Sequence, residues 1–218
     1  MIEKVLKRLP LAMLLIGKRR SGKTMLLINM LNSKYFRDTF DKIYIFSPTI
    51  ELDKTWEKVR DIEKENYVLF DKMDLEVLED ILSLQKRKNQ YNNDKDILVI
   101  IDDFAEKLKG RRGNVLEQLA TKGRHFKASY IFTSQKYNSV PTIIRNNSDE
   151  QIFFHISNNQ ELKTILEENE SKDIPGGFES LLHDSTDGYN YLLVVKGKED
   201  KYYKGNKLEF KKLKLVEE

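Results

Sequence analysis

The sequence predicts an α/β fold of three layers built on a mainly parallel central sheet, and three observations carry that reading. Short runs of aliphatic and β-branched residues alternate with longer segments of helical periodicity, as when helices join parallel strands. Several of the short runs are apolar throughout, which suits strands covered on both faces. Hydrophobic residues make up 39% of the 218, enough to fill one substantial core.

In chain order, strands are expected at Leu11–Ile16, Lys42–Phe46, Tyr67–Phe70, Ile97–Ile101, Ser129–Thr133 and Gln151–Ile156. Of these Ile97–Ile101 is the most apolar and Tyr67–Phe70 the weakest. Helices fill the gaps. Lys23–Leu31 carries apolar residues at Met25, Leu26, Leu27, Met30 and Leu31, and Leu75–Leu84 repeats them at Leu75, Val77, Leu78, Ile81, Leu82 and Leu84. Asn114–Thr121 and Asn159–Glu168 are expected to be helical as well. The stretch Gln85–Asp96 is polar and rich in Asn and Lys, and reads as an exposed loop. From residue 189 the pattern changes, because Tyr189–Val195 and Tyr202–Tyr203 flank Lys196–Lys201 with its Gly197. That is the signature of a β-hairpin. The expected division is a core over residues 1–188 and a β-hairpin appendage with a lysine-rich tail over 189–218.

The most informative residues are Gly17-Lys18-Arg19-Arg20-Ser21-Gly22-Lys23-Thr24, which match G-x-x-x-x-G-K-[ST] without a mismatch. They follow an apolar strand directly and open an amphipathic helix, so backbone N–H groups from Gly17 to Thr24 can surround a phosphate chain at a helix N-terminus. In such a P-loop, Gly22 lets the backbone approach the anion, Lys23 reaches the β- and γ-phosphates, and the Thr24 hydroxyl joins the coordination of Mg2+. ATP and Mg2+ are the expected ligands.

A second site supports the first. The run Ile97–Ile101 ends in Asp102-Asp103, and open α/β sheets bind ligands at the carboxyl ends of their strands. Asp102 is expected to hold Mg2+ through water as the second half of the Walker pair. Asp103 stands where many such ATPases carry the base that activates water, with a side chain one methylene shorter than glutamate. The long interval from Thr24 to Asp102 includes at least one good strand, so the two motif strands need not be neighbours. That favours a RecA/ASCE-like P-loop NTPase, with a strand inserted between the Walker strands. No N-K-x-D guanine signature is present, and Gly17 stands where partition-type ATPases carry a lysine. The next strand runs into Ser134-Gln135, where the Gln135 amide is placed to sense the γ-phosphate and the lytic water.

Lys42–Pro48, Ile97–Phe104, Gly123-Arg124-His125, Ile131–Gln135 and Ile144-Arg145-Asn146-Asn147 follow the P-loop in this order. In that order the chain resembles the viral genome-packaging ATPases of the FtsK/HerA superfamily over about residues 10 to 170. The resemblance implies an ATPase that forms a pentameric or hexameric ring and drives double-stranded DNA into a capsid. It further implies capsid proteins as partners and the viral assembly site in the host cytoplasm as the location. Arg124 is the first candidate for an arginine finger supplied to a neighbouring subunit, since such a group stabilises charge on the transferring phosphoryl oxygens. Arg145 is the second candidate, and Arg19 and Arg20 are the third.

Lys+Arg 38 nearly balance Asp+Glu 35, so a nucleic-acid partner can be argued only from local charge. Lys107–Lys127 holds seven basic residues and one acid, and includes Lys109, Arg111 and Arg112 in a glycine-flanked stretch suited to gripping DNA phosphates. Glu161–Asp187 offsets it with eight acids and two lysines. Lys196–Lys214 carries eight lysines, which serve equally well as a DNA or capsid contact or as a solvated surface.

The absence of cysteine removes disulfides, thiolate metal sites and a cysteine nucleophile, and suits a reducing cytosol. His125, His155 and His183 lack metal-ligand spacing. Leu11–Ile16, the longest apolar stretch near the start, is too short to span a membrane. Two other functions remain open on the residues: a small-molecule P-loop kinase, and a nucleotide-dependent binding or scaffold module without turnover.

Overall fold

The computed structural model describes residues 5, 6, 8–60, 66–92, 95–104, 114–169, 174 and 177–213. Among these residues nine strands form one sheet: β1 (Ala12–Ile16), β2 (Phe40–Phe46), β3 (Tyr67–Phe70), β4 (Asp96–Asp102), β5 (Ala128–Ser134), β6 (Glu150–Phe153), β7 (Tyr191–Val195), β8 (Lys201–Asn206) and β9 (Glu209–Lys212). Their spatial order is β3-β2-β4-β5-β1-β6-β7-β8-β9. The six strands from β3 to β6 run parallel, and β7, β8 and β9 add on antiparallel.

Alternation along the central strands shows why three layers form. Ala12, Leu14 and Ile16 of β1 enter one apolar cluster, together with Ile97, Val99 and Ile101 of β4. Met13 and Leu15, with Leu98 and Ile100, enter the other. Successive side chains point to opposite faces, so a strand buried on both faces must be apolar at every position. Helices α1 (Lys23–Asn32) and α2 (Lys34–Thr39) supply Leu26, Leu27, Leu31 and Phe36 to the second cluster, around the fully buried Trp56. Helices α4 (Leu75–Asn92) and α5 (Asn114–Phe126) supply Leu78, Leu82, Leu116 and Leu119 to the first. Between these pairs lies α3 (Glu57–Arg60), and after β5 come α6 (Thr142–Asn146), α7 (Asn159–Asn169) and α8 (Gly177–Ser185).

Three elements depart from expectation. The helix begun at Leu75 continues through the stretch read as a loop and ends at Asn92. Its polar residues find partners on neighbouring elements: Gln85 is only 3% exposed and donates from Nε2 to the Lys95 carbonyl at 3.1 Å, and Asn89 Nδ2 donates to the His125 carbonyl at 3.0 Å. Helix α5 runs past Thr121 to Phe126, and the glycine inside it permits close packing. A Cβ on Gly123 would stand 2.7 Å from the Ala128 carbonyl oxygen. Third, β6 stops at Phe153, short of Ile156.

The C-terminal hairpin forms as β7 and β8, with β9 as a further strand, and its sheet is continuous with the core. Gln151 pairs with Val194 and Phe153 with Leu192, while Leu193 and Tyr191 are buried in the same cluster as Leu15. The apolar faces of these strands are thereby covered by the body of the protein. The basic stretch with Lys109, Arg111 and Arg112 lies outside the described residues. No helix among the described residues is long and apolar enough to cross a membrane.

Candidate functional site

Strand order brings the predicted residues together. β5 lies between β1 and β4, so the carboxyl ends of these three strands deliver the P-loop, Gln135 and Asp102-Asp103 to one edge of the sheet. A cleft of about 540 Å³ opens there, lined by the loop from Arg19 to Thr24, Met25, Asp102, Asp103, Gln135 and Tyr189, with Thr49, Asp53 and Thr55 on the chain after β2.

The loop holds its shape through its own packing. Gly22 caps α1 at φ 105°, a left-handed conformation that glycine adopts without cost. Gly17 packs so tightly that a Cβ would stand 2.7 Å from both Phe154 Cβ and Ser21 Oγ. Gly17 N–H donates to the Ser134 carbonyl at 3.2 Å, which ties the loop to the end of β5. Lys23 is buried, and its Nζ donates to the Gly17 carbonyl at 2.7 Å and the Lys18 carbonyl at 3.3 Å. Burial pushes this ammonium below its ordinary pKa, while the Asp103 and Asp102 carboxylates oppose the shift. A phosphate oxygen is a stronger acceptor than a peptide carbonyl and would draw the ammonium to itself.

Asp102 is 3% exposed at the end of β4. Thr133 Oγ1 donates to its Oδ1 at 2.6 Å and Ser47 Oγ to its Oδ2 at 2.8 Å. Burial raises its pKa, and these two hydroxyls work against the rise by stabilising the ionised form. Asp103 turns out of the strand at φ 57°, a left-handed conformation uncommon outside glycine, with its N–H donating to Thr133 Oγ1 at 3.2 Å. Gln135 Nε2 donates to Asp103 Oδ2 at 2.6 Å. The buried carboxylate is therefore fixed by hydroxyls, and the exposed one by an amide.

The residues present suit a nucleotide and its metal ion. Ser21 Oγ is buried in the loop with no hydrogen-bond partner among the described residues, and an anion there would accept from it. Thr24 and Asp102 offer hard oxygen donors of the kind Mg2+ takes. Both Asp102 oxygens already accept one hydrogen bond, so contact with the ion through water suits this carboxylate better than a full inner-sphere cage. Among the described residues no group of three or more His, Asp or Glu side chains is arranged to hold a metal by itself.

The arginines divide. Arg19 and Arg20 lie at the cleft, with Arg20 at φ 64°. Arg124 stands in the last turn of α5 at the opposite, amino edge of the sheet, roughly 20 Å away by the length of a seven-residue strand. Its side chain is 66% exposed, and Nη2 donates to Asp149 Oδ2 at 2.5 Å. It cannot reach the P-loop of its own chain. Arg145 is held on three sides. It pairs with Glu168 through Nε at 3.1 Å and Nη2 at 2.7 Å, donates to the Val140 carbonyl at 3.0 Å, and lies 5.0 Å from the Tyr137 ring centroid.

Sequence reading misses Ser47, Thr133 and Tyr189. The first two end apolar strand runs in the sequence, but only long-range pairing places those strand ends beside Asp102. Tyr189 reads in the sequence only as the start of a hairpin.

A P-loop NTPase, with the sensor strand between its two Walker strands, is the class that this fold and cleft define. The chain belongs to the family described as Poxvirus A32 protein, whose profile matches residues 2–183. It is also 29% identical over 98 residues to the uncharacterized protein 075L of Invertebrate iridescent virus 6, a match covering 44% of this chain and 38% of that protein's length. Among solved structures it is similar to the genome packaging NTPase B204 of Sulfolobus turreted icosahedral virus 2 in complex with AMP. The TM-score is 0.60 at 16% identity, covering 94% of this chain and 96% of that one. A second similar structure is the pCW3 conjugation coupling protein TcpA with ATPgS, with a TM-score of 0.58 at 13% identity, covering 88% of this chain and 59% of that one. At these identities the solved structures share the fold.

Proposed function

We propose that this chain is the ATP-hydrolysing subunit of a ring motor that packages double-stranded DNA into a viral capsid. The observation that carries the reading is the Gln135–Asp103 hydrogen bond in the same cleft as Lys23 and Thr24, because a carboxylate so oriented can act on water beside a γ-phosphate. Membership of the poxvirus family supports a packaging role, and the solved complexes of the B204 NTPase with ATP-gammaS and AMPPCP support nucleotide as the ligand.

The steps follow from the residues. The P-loop N–H groups and Lys23 hold the β- and γ-phosphates. Thr24 and, through water, Asp102 would hold Mg2+, which would supply electrostatic neutralisation of the phosphate oxygens. Asp103 accepts a proton from water as the water oxygen attacks the γ-phosphorus, and the bond from that phosphorus to the bridging oxygen breaks to release ADP. Gln135 orients the Asp103 carboxylate and senses the γ-phosphate. Arg124, too far from its own cleft, acts on that of a neighbouring subunit, so that hydrolysis requires the pentameric or hexameric ring. Lys109, Arg111 and Arg112 follow the Asp102 strand closely in sequence and grip DNA phosphates without reading bases. Capsid proteins at the assembly site in the host cytoplasm complete the machine.

Replacing Lys109, Arg111 and Arg112 with alanine tests the DNA arm. Duplex affinity is expected to fall, and the slope of log affinity against log salt to decrease by about one for each phosphate no longer gripped, with hydrolysis in the absence of DNA unchanged. Loss of that basal hydrolysis would assign the segment to the nucleotide site instead.

A further inference from the structure

Tyr189 is the largest side chain at the mouth of the cleft and lies open to water. It is 72% exposed, whereas large aromatic side chains ordinarily bury most of their surface. Its ring is nevertheless placed. A Cβ built on Gly22 would be 3.6 Å from Tyr189 Cδ1, so the ring stands directly over the P-loop.

The turn that presents it is pinned on both sides. Thr186 Oγ1 donates to the Leu182 carbonyl at 2.8 Å, and Asn190 N–H closes the turn on the Asp187 carbonyl at 3.0 Å. Asn190 Nδ2 and Lys204 Nζ both donate to Asp187 Oδ1, at 2.9 Å and 2.8 Å, and Asn206 Nδ2 donates to Asn190 Oδ1 at 2.7 Å. Side chains of the turn and of β8 thus hold a loop whose own aromatic residue packs into no core. Met25, on the first turn of α1 beside Lys23 and Thr24, is also substantially exposed and lines the same cleft.

We infer that Tyr189 is the platform on which the nucleobase stacks, with the Met25 thioether as the adaptable apolar surface beside it. This rests on the nucleotide reading of the cleft and adds to it the recognition of the base. Stacking uses the π-face that every base has, so the platform strengthens binding of purine nucleotides without choosing between adenine and guanine. It also gives the C-terminal strands a task in the site, since β7 and β8 fix the position of the turn.

The test is titration calorimetry of the full chain with Mg2+ and, separately, ATP, GTP and inorganic tripolyphosphate, which has the charge of the phosphate chain and no base. Tyr189→Ala is expected to weaken ATP and GTP by similar factors of about tenfold or more, while Tyr189→Phe keeps both. Tripolyphosphate affinity should be unchanged in either variant. Because the ring is exposed, both variants should melt at the wild-type temperature. Unchanged ATP affinity in Tyr189→Ala would overturn the platform, as would an equal loss for tripolyphosphate, which would mean that the ring shapes the P-loop. Wild-type protein that bound neither ATP nor tripolyphosphate would overturn the nucleotide reading itself, and the platform with it.

Discussion

The Gln135 side-chain amide donates to Asp103 Oδ2 at 2.6 Å, joining the tip of β5 to the tip of β4 across the mouth of the cleft. In the proposed mechanism the contact gives two residues from different strands one task, since the amide sets the direction in which the Asp103 lone pairs face. Asp103→Asn is expected to lower kcat by about 10²- to 10⁴-fold, the usual worth of a positioned general base. Gln135→Ala should lower kcat by less and leave ATP affinity intact. The double variant should be no slower than Asp103→Asn alone, because residues acting as a unit are not additive. Multiplying effects in steady-state kinetics would separate the two roles.

Arg145 serves the fold. Its side chain is only 10% exposed, and its guanidinium holds Glu168 with two hydrogen bonds while Tyr137 OH donates to the same carboxylate at 2.7 Å. Removing the cation leaves a partly buried carboxylate without its charge partner. Arg145→Ala should cost about 2–4 kcal/mol of stability in denaturant unfolding, and Arg145→Lys should recover only part of it because lysine cannot make the fork. A stable Arg145→Ala protein without hydrolysis would instead make this residue a finger.

Arg124, distant from its own cleft and paired with Asp149, is proposed above to act on a neighbour. Mixing Arg124→Ala protein with Lys23→Ala protein should restore part of the hydrolysis that each lacks, as each mixed interface can combine an intact P-loop with an intact arginine. Absence of recovery, in mixtures shown to co-assemble, would place catalysis wholly within one chain.

Much of this site is legible in the sequence because its chemistry is local. Eight consecutive residues form the P-loop, and two adjacent aspartates end the most apolar strand, so strand and motif can be read together. The order of strands is legible only in part. A long interval between motifs suggests an inserted strand, and long-range pairing supplies it as β5, with Ile16 against Ser134 and Asp102 against Thr133. Ser47 stands within a recognisable motif yet has no role there that sequence alone can assign, since its hydrogen bond to Asp102 spans 55 residues of chain. The helix over Gln85–Asn92 is hidden for a similar reason. Its composition is that of a surface loop, and the contacts that hold Gln85 and Asn89 come from Lys95 and His125.

Glu150 gives the fold a pH dependence. Its carboxyl is buried at the start of β6 with Oε2 unpartnered among the described residues. Burial and the neighbouring Asp149 push its pKa up to about 8, against the opposing pull of the Ala12 N–H, Arg8 and Arg124. The folded chain therefore holds this proton more tightly than the unfolded one. Its contribution to stability is complete below about pH 4.5 and is lost as pH rises through about 8. Glu150→Gln should flatten the fall in melting temperature over that window and raise it at about pH 8.5 by at least ~2 °C. Parallel melting profiles for the two proteins would contradict this.

Steady-state ATP hydrolysis measured with and without long linear duplex DNA addresses the motor reading most directly. Turnover is expected to rise when duplex is added and to disappear in Lys23→Ala. ATP bound without turnover, or turnover that depends on a small phosphate acceptor and ignores DNA, would contradict it.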